Sequence, residues 1–200
     1  MFKSLFKSGE PYFLLSGEDK CSVFEFSQSL MYLSNQSVIS TTDIITEHIP
    51  EELLLSKIRS GKPFNVLLLS FEIACFLHSA VINTSVPDEV VIKLKQHILS
   101  HIVEMENGSG SIWAENDIPY FNKFIMSYFD SILKFVQAQQ NGQLTDGTGR
   151  DFIEDLLEIY ELPSDSVNVI DKSILSSKLN VNIFSALASF SDGVLQWKNS

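Results

Sequence analysis

The chain has 200 residues, 44% of them apolar and 20% charged, a balance that excludes a disordered polyelectrolyte. A chain of this length forms one domain or two small ones and can bury roughly 70% of its extended surface, enough for a core without staples. The 14 basic residues are outnumbered by 25 acidic ones, giving a net charge of −11. That argues against unaided binding to a nucleic-acid backbone, which needs a surplus of Lys and Arg.

Residues 1–21 read as an N-terminal arm. Met1 to Lys7 sets Phe2, Leu5 and Phe6 against Lys3 and Lys7, a cationic amphipath too short to anchor alone. Ser8, Gly9, Glu10 and Pro11 interrupt any signal-peptide core, so a reducing cytoplasmic setting is expected, and the sequons at Asn35, Asn83 and Asn107 carry little weight. Residues 11–26 fit a hairpin turning at Gly17-Glu18-Asp19. Residues 22–34 fit a helix through Val23, Phe26, Leu30 and Leu33, and Ser40 with Asp43 marks a separate short capped helix before His48. Pro50-Glu51-Glu52 opens a further helix that Gly61 closes.

Phe64 to Ile82 is the longest apolar stretch. Its 19 residues approach membrane-span length, but Asn65, Glu72 and His78 interrupt it. It reads as the central buried helix of a bundle, with no stable membrane insertion. Ser85 and Asp88 resemble a capping box for a helix running to about Met105, before a loop at Asn107 to Ser111. Asn116 or Asp117 caps the next helix. There Phe121, Phe124, Ile125, Tyr128, Phe129, Ile132, Phe135 and Val136 recur at helical spacing as far as Gln140. The stretch Asn141 to Gly149 reads as a flexible connection. Asp151 to Leu162 reads as an amphipathic helix, and Val167 to Phe190 as one or two serine-rich helices. Residues 191–200 form a tail in which Val194 to Trp197 is strand or coil.

The predicted fold is therefore all-α: an irregular single-domain bundle of six to eight helices spanning residues 1–200, with a possible short β-hairpin near the N-terminus.

Four features bear on chemistry. His97 and His101 lie four apart on one helix, with Glu104 three further on. The order matches neither a zincin nor a di-iron motif, so two boundary histidines and no metal are expected. Asn65, Glu72 and Ser79, spaced by sevens, draw a polar line along the apolar helix. The line reads first as its solvent edge, alternatively as a polar seam against another helix, or as a buried carboxylate suited to acid–base work. Asp146 to Arg150 holds a Gly-x-Gly before a helix, but it lacks the Walker spacing and no strand precedes it. Cys21 and Cys75 match no C-x-x-C spacing and read as buried thiols.

The acidic run from Asp151 to Asp165 points to function. Its helix carries Asp151, Glu154, Asp155, Glu158 and Glu161, either as a solvated face or as a docking surface for a basic partner. The leading expectation is a non-catalytic cytoplasmic interaction or regulatory protein, an adaptor or an immunity-like protein, that uses no cofactor and no nucleic acid. One alternative is a small-molecule binder or enzyme with a pocket between apolar helices, lined by Glu72, His78, His97 or His101. Another is a self-associating structural protein.

Overall fold

The computed structural model describes residues 11–16, 19–49, 62–107, 115–143, 145, 147–191 and 194–198. Among them are six helices and one small antiparallel sheet: β1 (Tyr12–Leu15), β2 (Asp19–Cys21), α1 (Val23–His48), α2 (Lys62–Thr84), α3 (Asp88–Asn107), a 3₁₀ turn (Glu115–Asp117), α4 (Ile118–Gln140), α5 (Gly147–Ile159), α6 (Val169–Ser189) and β3 (Leu195–Lys198). The all-α bundle is thus the observed fold. The expected helix at Pro50 to Gly61, the Met1 to Lys7 amphipath and most of the Asn107 to Ser111 loop lie outside the described residues.

α2 is the axis of the bundle, packed by α1, α4 and α6 and touched by α5. Every residue from Val66 to Ala80 is buried, as expected of a helix that is apolar on all sides. α2 is long and apolar enough to cross a membrane, yet 83% of its most apolar window is enclosed by the other elements. Phe71 meets Tyr128 of α4 and Phe152 of α5 at ring-centroid distances of 5.6 and 5.3 Å. These are favourable edge and tilted contacts in a Phe-rich core.

The N-terminal hairpin forms, and β3 joins it in the order β2-β1-β3. Phe13 lies opposite Cys21 on one side and Trp197 on the other. Its fully buried ring packs 4.2 Å from that of Phe26, while Phe26 and Phe76 both approach Phe190. The arm and the tail therefore pair with each other and cap one end of the bundle.

Three local expectations need correction. The first concerns α1, which is one helix of 26 residues with no break at Ser40. A Ser22–Glu25 capping box starts it, and Ser34 and Thr42 return hydroxyl bonds to the carbonyls of Leu30 and Val38. Serine and threonine runs normally compete with the helix for backbone bonds. Here that competition is absorbed within the helix, and Thr41 is held by a tertiary bond to Glu72.

The second is Ser85, which terminates α2 and does not cap α3. It sits in the left-handed region at φ 50° and donates its N–H to Val81, the C-terminal αL arrangement usually given to glycine. The third is the Gly-x-Gly stretch, which is the first turn of α5 and not a loop. Val167 to Phe190, expected to hold one or two helices, holds one. Asn168 caps it by accepting from the Asp171 N–H at 2.9 Å.

Candidate functional site

α5 is positioned by its two glycines. Gly147 adopts φ 69°, and a Cβ there would lie 2.6 Å from Asn180 Nδ2. A Cβ on Gly149 would lie 2.4 Å from the Ser176 carbonyl oxygen, so only glycine lets α5 approach α6 this closely. The Gly149 N–H, which no residue of its own helix can accept, donates to Asn180 Oδ1 at 2.9 Å. The Gly149 amide at the start of α5 is thus engaged by α6. Phe152, Ile153, Leu156 and Leu157 then bury the inner face. At the far end the Leu162 N–H returns to Leu157, with Glu161 in the left-handed region at φ 51°.

This packing sorts the five carboxylates of the expected docking surface. Asp151, Glu154, Glu158 and Glu161 are exposed, whereas Asp155 is half-buried. Asp155 accepts the Tyr128 hydroxyl at 2.7 Å. Burial raises its carboxyl above the usual range, and the neighbouring Glu158 and Asp151 charges add to the rise. Asp151 accepts from Ser131, whose hydroxyl also reaches Thr148 Oγ1. Glu154 pairs with Arg150 at 2.8 Å, an exposed i,i+4 contact. Asp155 and Asp151 therefore tie α5 to α4, and Glu154 and Glu158 face outward one turn apart; the helix expected to reach Leu162 stops at Ile159, so exposed Glu161 lies in the turn beyond it.

Beside this row α4, α5 and α6 enclose a cleft of about 650 Å³. Phe135, Ile153, Val181 and Phe184 supply its apolar lining, and Arg150 and Lys172 its cations.

The four expected pocket residues do not converge on that cleft. Glu72 is buried between α2, α1 and α6. It accepts the Thr41 hydroxyl at 2.5 Å and lies 3.5 Å from Asn182 Nδ2, which itself donates to Thr41 Oγ1 at 2.6 Å. Burial holds the Glu72 carboxyl above the ordinary carboxylate range, against the lowering pull of the Ser37, Thr41 and Asn182 bonds. Further along the same line, Ser79 donates to the Ala186 carbonyl at 2.6 Å and Asn83 to that of Leu187 at 3.2 Å. The polar line is a seam against α6, and the solvent-edge reading is corrected.

His78 faces the other way, edge-on to Phe129 at 5.4 Å. It is buried, and both ring nitrogens lack a hydrogen-bond partner. Burial alone lowers its pKa to about 4.

His97 and His101 both contact the Phe24 ring, at centroid distances of 5.3 and 4.9 Å. His101 Nε2 lies 2.9 Å from the buried Ser27 hydroxyl. That hydroxyl also donates to the Phe24 carbonyl at 2.6 Å, which leaves Ser27 to accept from the imidazole. A serine being activated as a nucleophile would donate to the imidazole instead. The pair therefore ties α1 to α3. The Glu104 side chain lies outside the described residues, and among those described no group of three His, Cys, Asp or Glu could hold a metal ion.

Sequence reasoning did not find the polar roles of Ser27, Thr41, Asn182 or Tyr128, because each acts through a partner 27 or more residues away. No protein-family model, curated protein or solved structure matches the chain.

Proposed function

We propose that this protein is a non-catalytic interaction protein that works in the cytoplasm and docks a basic protein partner through the outer face of α5. One observation carries the reading: Glu154 and Glu158 are exposed one turn apart on a helix locked to α4 and α6, and exposed Glu161 follows in the turn beyond its end. A rigid row of carboxylates presents charge without the ordering cost that a flexible acidic tail incurs on binding. The excess of acid over base in the whole chain adds a long-range field of the same sign, which speeds encounter with a cationic partner. The buried free thiols Cys21 and Cys75 agree with a reducing compartment.

A second reading, a small-molecule site, is favoured by the cleft beside α5, whose volume lies within the usual range for ligand pockets of about 300–1,000 Å³. The two readings separate in one experiment. Immobilised protein is used to capture partners from the source cell, in parallel with a Glu154→Gln/Glu158→Gln/Glu161→Gln variant. A basic protein held by the wild type at low salt, and lost in the variant, supports docking on α5. Capture that is identical for both proteins would refute it.

A further inference from the structure

We infer that the cleft between α4, α5 and α6 binds an alkyl carboxylate, a small molecule with one anionic head and an apolar tail. The inference rests on the small-molecule reading of this cleft and names the class of ligand. Phe135 and Ile153 line the cleft from within the core, and the Phe135 ring lies 5.7 Å from that of Phe184. Val181 and Phe184 line it too, yet they remain 58% and 45% exposed. Apolar surface inside the cleft is therefore still open to water, and an alkyl chain laid there would cover it.

Charge identifies the head. The charged side chains lining the cleft are Arg150, Lys172 and Glu154. Arg150 and Glu154 offset each other across 2.8 Å. Lys172 donates to the neutral Ser164 carbonyl and pairs with no described carboxylate. One positive charge is left over, in a chain whose net charge is −11. A singly charged anion matches that lining, whereas a cation would meet Lys172 uncompensated. Lys172 and Phe184 lie twelve positions apart on α6, a rise of about 18 Å. The charged and aromatic parts of the cleft are thus well separated, which calls for an elongated ligand and not a free inorganic anion. An exposed ion pair is worth up to about fivefold in affinity. Each buried methylene is worth up to about fourfold, so the tail dominates affinity and the head decides selectivity.

The test is calorimetric and methyl-NMR titration of the full chain with decanoate, hexanoate, decanol and decylammonium. Decanoate should bind once per chain and shift the Ile153 and Val181 methyl signals, with hexanoate at least about tenfold weaker. Lys172→Gln should weaken decanoate about three- to fivefold and leave decanol unchanged. Lys172→Glu should turn the preference toward decylammonium. Lys178→Gln, whose lysine pairs with Glu47 outside the cleft, should change nothing. Ser177→Trp, at an exposed position lining the cleft, should block decanoate with unchanged circular dichroism. A decanoate affinity unmoved by both Lys172 variants would overturn the carboxylate assignment while leaving the cleft a ligand site. Binding of none of the four probes would overturn the assignment and the cleft reading together, as would binding that Ser177→Trp leaves intact.

Discussion

His78 and Glu72 sit on the same helix and titrate in opposite senses. Burial lowers the imidazole from 6.5 to about 4, so the neutral ring contributes stability above pH 6.5 that is lost as pH falls toward 4. From the two values, about 2 kcal/mol should be gone by pH 5. His78→Met keeps the volume and removes two unpartnered polar atoms. It should raise stability at pH 7 by about 1 kcal/mol and abolish most of the loss at pH 5, as urea unfolding at the two pH values would show. For Glu72 the sign reverses. Its folded value is raised, so its contribution is complete below the unfolded carboxylate range of about 4.3 and is lost as pH rises through the folded value. Glu72→Gln keeps an acceptor for Thr41 and should flatten that upper limb. If the Glu72→Gln protein instead shows an unchanged pH profile, the carboxyl is already fully ionised in the fold.

At the scale of elements, α5 depends on glycine at its start and tolerates a strained residue at its end. Gly149→Ala places a methyl against Ser176 backbone, which cannot rotate away, and should cost about 3 kcal/mol or more. Glu161→Gly relieves the left-handed backbone at φ 51° and should add about 0.5–1 kcal/mol. Thermal unfolding of both variants checks the pair, and a harmless Gly149→Ala would mean that α5 is free to shift off α6.

The elements differ in how legible they were. α2 and α4 could be read directly, because their apolar periodicity depends only on their own residues. The continuity of α1 through Ser40 to Asp43 could not, because the tertiary bond from Thr41 to Glu72 holds it together. The helical state of Gly147 to Gly149 was hidden for the same reason: propensity says loop, and Asn180 and Ser176 on a distant helix decide otherwise. Of the candidate site, the acidic row was visible as spacing, but which carboxylates face inward depended on Tyr128 and Ser131.

At the scale of the whole molecule, the excess of 25 acidic over 14 basic residues adds to the local charge of Glu154 and Glu158 on α5. The most direct measurement of the α5 reading is the association rate of a captured basic partner with wild type and with the Glu154→Gln/Glu158→Gln/Glu161→Gln variant, across ionic strength. The wild-type rate should fall steeply as salt rises, while the variant should start slower and change little, with folding unaffected in both. Equal rates and equal salt slopes for the two proteins would contradict docking on this face.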